Sequence, residues 1–373
     1  MTTTRASDTS VMTAHGNRRR PRWPTWTGYA AAAFALGYGL LGLYWTFGGA
    51  GFPFGAHDDG GQGTSLLEHA RPGTTGPVIA VVGLMGAVLA LAMRGSRRRG
   101  WGAAALATFA WTMAVGLAVV VPDYRPLLAV VRAPVLLAGA PFGWPEQVGL
   151  GDFFPKFLPW PVANQLLLIV GGCLWAAAAV AFRRRTRGSC EDCGRAEAPA
   201  GWTTPAAAAR WGRWAVYVAM AVPIGYALTR WAFALYIPLG VTTAGLRQEA
   251  AESPGIWWAG AILATMGAGG AILTLGLVQR WGEVYPRWIP HLRGKRVRPR
   301  TAIIPASLVS LLVTSAGLMF LRWLVLGRFR LEQDTWGLFL PQLFWPLWGA
   351  ALALATLAYH LRRRAACPYC RRS

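Results

Sequence analysis

Four of the five cysteines in this chain occur as two Cys-x-x-Cys pairs, Cys190/Cys193 in "RRRTRGSCEDCGR" and Cys367/Cys370 in "LRRRAACPYCRRS". Each pair follows an arginine triplet at the end of a long apolar segment. The two-residue spacing lets both sulfurs of a pair point at one ion while backbone N–H groups of the turn donate to them. Two such pairs supply four soft thiolates, the number and geometry of a closed tetrahedral Zn²⁺ site.

We therefore predict a structural zinc site, because four protein ligands leave no coordination position open for water or substrate. A Zn²⁺ ion with four thiolates carries a net charge of 2−, which nearby cations would offset while favouring the thiolate form. The basic residues expected to do so are Arg184, Arg185, Arg363 and Arg364.

Redox chemistry is the main alternative, because "CPYC" is also the active-site tetrapeptide of glutaredoxins. That chemistry places the first cysteine at a helix N-terminus within a βαβ fold, whereas Cys367 and Cys370 follow an apolar segment directly. Unliganded thiols and an Fe–S cluster remain further alternatives. The fifth cysteine, Cys173, lies alone within an apolar segment and is expected to pack there as a small apolar residue.

The apolar segments that carry these pairs indicate a membrane protein. Apolar residues make up 54% of the 373 positions, charged residues only 14%, and the mean hydropathy is +0.35. A bilayer core of about 30 Å is crossed by about 20 helical residues, and the second predicted span is short, so it would need either to sit nearly upright or to include flanking residues. The sequence predicts an all-α fold with eight transmembrane helices: 27–48, 76–93, 101–121, 161–182, 212–236, 256–279, 301–324 and 338–360.

The net charge of +22 indicates how the chain is oriented in the membrane and is not interpreted as a nucleic-acid-binding surface. Basic residues are concentrated in the N-terminal tail, in alternate loops and in the C-terminal tail. Basic loops stay cytoplasmic, so both termini are predicted on the cytoplasmic side and the number of spans must be even. The cysteine pairs then face a reducing compartment, where stable disulfides are not expected. The first span is too long for a cleaved signal peptide and is expected to be a signal anchor.

Short sequence matches suggest a tandem duplication. "GYGL" in the first predicted span corresponds to "GYAL" in the fifth, and both the fourth and eighth spans lead into an arginine triplet and a Cys-x-x-Cys pair. Two copies of an even number of spans would be related by a pseudo-twofold axis along the membrane normal. The predicted organisation is a disordered cytoplasmic tail (1–25), a first four-helix repeat (26–195), a cytoplasmic linker (196–210) and a second four-helix repeat (211–373).

The first repeat contains an extra connection at 122–160, which is too short and too rich in proline to cross the membrane twice. We predict a re-entrant or interfacial segment there, on the side opposite the cysteines. Three arginines near that side, Arg125, Arg230 and Arg322, are candidate contacts for an anion or a lipid headgroup. The alternative is that Arg230 and Arg322 snorkel to the interface or pair with nearby carboxylates and so fix the loops.

The first loop on that side is a weaker candidate for a divalent metal site, since Gly-rich polar loops are usually solvated connectors. Its potential ligands are His57, Asp58, Asp59, Glu68 and His69. No acidic residue is evident in the middle of a predicted span, which argues against an ion-coupled pump.

The segment "RWGEVYPRWIPHLRGKRVRP" (280–299) alternates Arg with Trp and Pro, a composition typical of membrane interfaces that bind anionic lipids. With the Ala-, Arg- and Trp-rich composition, it resembles uncharacterised multi-pass membrane proteins of actinobacteria. The resemblance implies a bacterial inner membrane and brings no catalytic residue with it.

The sequence contains no phosphate-binding loop, nucleophile elbow, zinc-protease helix or dinucleotide fingerprint. It therefore predicts a non-enzymatic polytopic membrane protein that binds or transports a small molecule where the two repeats meet. The partners expected are the bilayer and anionic lipids at the cytoplasmic loops, with no nucleic acid. Two other functions remain open: a membrane thiol-disulfide oxidoreductase using Cys367 and Cys370, and a lipid-binding scaffold.

Overall fold

The computed structural model describes residues 23–96, 100–139, 158–197, 200–287 and 290–371. The fold is all-helical, 72% of it helix, and the described residues contain no strand beyond one isolated bridge between Val284 and Arg296. The α-helices in this part of the chain are α1 (Trp23–Thr46), α2 (Pro72–Gly95), α3 (Trp101–Val115), α4 (Arg125–Gly139), α5 (Trp160–Thr186), α6 (Pro205–Ala234), α7 (Thr243–Glu252), α8 (Ile256–Leu275), α9 (Pro299–Val325), α10 (Trp336–Leu343) and α11 (Trp345–Arg363).

Among the described residues, seven stretches of helix are long and apolar enough to cross a bilayer. They are α2, α3 with the π-helical turn Gly116–Val120 that continues it, α5, α6, α8, α9, and α10 together with α11. The helix of the second predicted span includes flanking residues, as one of the two options required: it begins at Pro72 and has 24 residues. Proline is favoured in the first turn of a helix, where its missing N–H leaves no hydrogen bond unmade, and this accounts for the earlier start.

The first predicted span coincides with α1, whose 24 residues are long enough to cross but which is not among the seven. Its glycine, tyrosine and tryptophan residues lower the mean hydropathy of α1. An eighth span therefore stays a prediction. The helix begins at Trp23, inside the segment expected to be disordered (1–25), and residues 1–22 of that segment lie outside the described residues.

The helices pack in the same pattern on either side of the connection at 198–199. In the N-terminal half (23–197), α1 packs against α2 and α5, and α3 packs against α5. In the C-terminal half (200–371), α6 packs against α8 and α11, and α9 packs against α11. Small residues allow close approach, as is usual for helices in lipid. A Cβ placed on Gly83 of α2 would lie 2.5 Å from the Cα of Gly39 in α1.

The two halves meet at the end of the bundle opposite the cysteines through α9. The Ser315 hydroxyl donates to the carbonyl oxygen of Pro122 at 2.7 Å, and α9 also packs against α4 and the π-helical turn of α3. Helix α4 occupies the start of the connection predicted to be re-entrant or interfacial, and 140–157 lie outside the described residues. This contact and the cysteine end, defined as residues 183–195 and 361–371, hold the halves together at opposite ends.

Candidate metal centre

Two helix ends position the cysteine pairs. Helix α5 ends at Thr186, and a tight turn with Gly188 at φ +68° leads into the first pair. Helix α11 ends at Arg363, and an extended residue, Arg364, leads towards the second pair. The cysteines therefore lie just beyond two long helices that belong to different halves of the chain.

Both pairs adopt the same turn. In the first, the Gly194 N–H donates to the Cys190 carbonyl oxygen at 2.8 Å; in the second, the Arg371 N–H donates to the Cys367 carbonyl oxygen at 2.8 Å. The residue four places after the first cysteine has positive φ in each, +76° at Gly194 and +55° at Arg371. Only glycine adopts this conformation without cost, so the second turn holds a non-glycine residue under strain.

The sulfurs of the two pairs face one another. The Cys190 and Cys367 Sγ atoms lie 4.0 Å apart, those of Cys193 and Cys370 3.6 Å apart, and all four lie within 4.8 Å of one another. With Zn–S bonds of about 2.3 Å, a tetrahedral site has sulfurs about 3.8 Å apart. A disulfide needs about 2.05 Å, and all four cysteines are free. The arrangement fits a single ion with four thiolate ligands.

The thiols of the group differ in acidity. Burial opposes ionisation of Cys190, but N–H groups of Cys193 and Asp192 and the neighbouring thiols lower its pKa to about 7. Hydrogen bonding from the Cys370 N–H is the main cause that lowers the pKa of Cys367. Burial and the neighbouring thiols raise the pKa of Cys193 to about 11. Without an ion the group would retain at least one thiol proton at neutral pH, and a divalent cation would have to displace it.

The predicted arginines surround this group in different ways. Arg184 donates to the carbonyl oxygens of Glu191 and Asp192 at 3.0 and 2.6 Å, which ties the first turn to the end of α5. Arg185 donates to the Met93 carbonyl oxygen, 3.2 Å away on α2. The other two arginines lie at the end of α11. Arg363 donates to the Val297 carbonyl oxygen at 2.9 Å, and burial lowers the pKa of Arg364.

Two contacts of the site were missed by sequence reasoning. Arg195 donates to the carbonyl oxygens of Arg364 and Ala365 at 3.4 and 3.1 Å, and so crosses from one half to the other. Trp23 donates its indole N–H to the Asp192 carbonyl oxygen at 3.1 Å and stacks with Arg184. Both acceptors are backbone carbonyls, which every residue carries, so no sequence signal could have indicated them.

At the opposite end, Arg125 is fully engaged by carboxylates. It forms a two-pronged ion pair with Asp58, at 2.6 and 2.7 Å, and contacts Asp123 at 2.7 Å. All three side chains are buried, and Gln165 donates to Asp123 at 3.0 Å. The charge of Arg125 thus fixes a loop, the role considered as an alternative for Arg230 and Arg322.

The other two candidate arginines have backbone partners. Arg230 donates to the Leu338 carbonyl oxygen at 2.8 Å and lies over the Tyr226 ring, 4.8 Å from its centre. Arg322 donates to the Thr64 carbonyl oxygen. Anion or headgroup contacts by these three residues stay a prediction.

In the first loop on that side, Asp58 and Glu68 form ion pairs. Glu68 pairs with Arg328 at 2.5 Å and lies 3.5 Å from His69. Among the residues that the structure describes, the four cysteines are the one group of His, Cys, Asp and Glu whose ligand atoms converge closely enough for a metal ion. Cys173 takes no part in that group and is exposed on α5, rather than packed inside the bundle as expected.

In comparisons with protein-family models, with curated proteins and with solved structures, the chain shows no match. The site is therefore interpreted from its own geometry.

Proposed function

We propose that one Zn²⁺ ion, bound by Cys190, Cys193, Cys367 and Cys370, joins the ends of α5 and α11 in a polytopic membrane protein. The observation that carries this proposal is the convergence of all four sulfur atoms within 4.8 Å. The role of the ion is structural, since four thiolates complete its coordination. Its effect is to hold together the ends of two helices from different halves of the chain.

Zinc fits this group better than the alternatives. Tetrahedral sets of four sulfurs bind zinc or iron–sulfur clusters. A cluster with its own sulfides separates the cysteine sulfurs more widely than one ion does, and the spacings of 3.6 and 4.0 Å correspond to one ion. A dithiol oxidoreductase that uses Cys367 and Cys370 is favoured by the lowered pKa of Cys367. The buried Cys367, only 4% exposed, disfavours it, because the first cysteine of "CPYC" would have to attack an external disulfide.

The tandem duplication is part of the same proposal. Repeats at 26–195 and 211–373, joined by 196–210, would explain why the helices of the two halves pack in one pattern. Equivalent sulfurs are separated by 177 positions in both facing pairs, and so are the equivalent positive-φ residues Gly194 and Arg371. A pseudo-twofold axis through the ion would place equivalent residues opposite each other in this way.

From the basic segments we infer that the cysteine end and both termini are cytoplasmic, which requires an even number of spans, eight in our proposal. The resemblance noted for 280–299 supports a bacterial inner membrane. The role that we infer is non-enzymatic binding or movement of a small molecule where the two halves meet, because repeat interfaces at mid-membrane are where such sites occur. A lipid-binding scaffold is the second candidate, supported by the basic cavity beside the cysteine end.

Metal analysis of the purified full chain tests the proposal. We expect about one zinc per chain, lost in Cys190→Ser and retained in the matched control Cys173→Ser, which alters the cysteine outside the group. Purified wild-type protein without zinc would contradict the proposal that one Zn²⁺ ion joins the ends of α5 and α11. Accumulation of a mixed disulfide with another protein in Cys370→Ser would instead support the oxidoreductase.

A further inference from the structure

Two cavities lie beside α5 at the cysteine end, with volumes of about 240 and 220 Å³. Both are lined by Arg183 and Arg187, at the last turn of that helix and its C-cap. The first cavity is completed by α3, from Gly100 onwards, and the second by Trp111 and the first cysteine turn. The two arginines thus connect a groove between helices with the surroundings of the metal centre.

The two arginines carry charge that is not paired with any acidic residue in the described part of the chain. They are four positions apart and therefore on one face of the helix, and both are exposed. None of the ion pairs among the described residues includes either of them. Arg184 and Arg185, by contrast, are bound to backbone carbonyls. Two guanidinium groups over one cavity form a site for a phosphate, which arginine binds through several N–H groups at once.

The remainder of the groove is apolar. Ala103, Ala104 and Ala107 form one wall, and the fully buried Phe182 lies opposite. The wall continues onto a helix, 101–120, of which only 22% is buried within the protein. The small side chains of Ala103, Ala104 and Ala107 line the part of the cavity that we call the apolar channel, and most of the helix beyond them is exposed. A ligand that fits has a charged end at the arginines and a hydrocarbon part along the helix.

Helix α3 adds a weaker attraction for negative charge. Its first turn, from Trp101, lies at the cavity, and first-turn N–H groups have no partner within their own helix. In the second cavity, the indole N–H of Trp111 is buried and has no acceptor. Hydrogen-bond donors therefore line both cavities, while no carboxylate side chain does.

From these features we infer that the groove between α3 and α5 binds an anionic phospholipid, with its phosphate on Arg183 and Arg187 and an acyl chain along α3. A lipid fits better than a free phosphate because the arginines adjoin the apolar channel on α3, a helix whose apolar surface is largely exposed. The second cavity is also lined by Ser189 and Gly194, so the bound headgroup lies beside the first cysteine turn. The site is distinct from the zinc ligands and does not depend on zinc being the bound metal.

Native mass spectrometry of the full chain, titrated with dioleoylphosphatidylglycerol or dioleoylphosphatidylcholine, tests this inference. We expect tighter binding of the anionic lipid and a roughly 25-fold weakening in Arg183→Gln/Arg187→Gln, since each arginine near an anionic headgroup contributes a factor of about five. The matched control is Arg210→Gln/Arg213→Gln, which removes the same charge from two exposed positions of α6 outside the groove. The control is expected to change the affinity less than about twofold, an effect of general charge screened by salt.

A second variant distinguishes binding of the lipid in the groove from general attraction by positive charge. Ala107→Trp fills the apolar channel and leaves both arginines in place, so it is expected to weaken binding of the anionic lipid without changing the charge. It also keeps the test open if the double glutamine variant fails to fold. Equal losses in the two glutamine pairs, equal affinity for the two lipids, or unchanged binding in Ala107→Trp would each overturn the inference. Displacement of the lipid by millimolar inorganic phosphate would identify a free-anion site instead.

Discussion

The two ends of the molecule join its halves by different means. At the cysteine end, equivalent residues from each half face one another: Cys190 opposite Cys367 and Cys193 opposite Cys370, at 4.0 and 3.6 Å. At the opposite end, the donors come from the C-terminal half alone. Trp323 donates its indole N–H to the Gly63 carbonyl oxygen at 2.5 Å, and its neighbour on α9 donates to the next carbonyl.

This difference separates two kinds of contact. The cysteine end uses four identical soft ligands in two matched turns, and it is completed by an ion under our proposal. The opposite end is an asymmetric contact within the chain, in which residues of α9 bind a loop of the N-terminal half. Buried ion pairs of Arg125 with Asp58 and Asp123 stabilise that loop. One end should therefore respond to metal and the other only to changes in the protein.

Removal of the ion is expected to have the largest effect. Structural zinc contributes about 10 kcal/mol or more in small zinc domains. In a bundle with many other contacts we expect a loss of several kcal/mol, measured as a lower thermal unfolding midpoint after chelation. Cys190→Ser should start at that lower midpoint and not respond to chelator. A wild-type midpoint that ignores chelation would mean that both ends are held by protein contacts alone.

Breaking the buried ion group at the opposite end ranks second. Asp123→Asn weakens the charge-assisted hydrogen bonds that Arg125 donates to Asp123 but leaves its ion pair with Asp58, so the expected loss of stability is about 1.5–3 kcal/mol. Urea or thermal unfolding of the zinc-loaded protein would measure this loss. The exposed neighbour Asp59 supplies the control, and Asp59→Asn should change stability by less than about 0.5 kcal/mol. Zinc content should stay at the wild-type level in both variants, and a loss of zinc in Asp123→Asn would show that the ends are not independent.

The pH dependence of metal binding should be a feature of the cysteine end alone. Because the pKa of Cys193 is raised to about 11, its thiol is protonated at neutral pH and a bound ion must displace that proton. Apparent zinc affinity should therefore fall at least about tenfold for each pH unit below 7. Competition with a chelator of known affinity at pH 6 and pH 7 measures the change. An affinity that does not vary with pH would contradict thiolate ligation.

A single hydrogen bond at the opposite end should matter least. Trp323→Phe keeps the aromatic ring but removes the N–H that binds Gly63, and a typical net loss is about 1 kcal/mol. Trp258, which is exposed on α8, offers the control substitution Trp258→Phe with no such bond among the described residues. Equal unfolding midpoints for the two variants would show that the contact of α9 with the loop adds nothing to stability.

The cysteine end could be predicted from the sequence because its chemistry resides in side chains of one rare type at fixed spacing. The all-helical class and seven apolar helices followed from composition and hydropathy in the same way. The second span was predicted to be short, because Pro72 and the polar residues after it give no apolar signal for the first turn of α2. Cys173 was expected to pack inside, but an apolar helix gives little indication of which face meets lipid.

The contacts that escaped prediction share a different physical property. Arg195, Trp23, Arg322 and Trp323 all donate to backbone carbonyl oxygens, and a carbonyl is present at every residue whatever its side chain. The pairing of Arg125 with Asp58 was not predicted, because Asp58 lies 67 positions away along the chain. Spacing in the sequence carries no information about such distant partners until the helices are assembled.

X-ray absorption at the zinc edge of the purified, metal-loaded chain would test the central claim most directly. The account predicts four sulfur neighbours at about 2.3 Å and no nitrogen or oxygen in the first coordination sphere. Two sulfurs with lighter ligands, or no zinc signal at all, would show that the two cysteine turns do not share one ion.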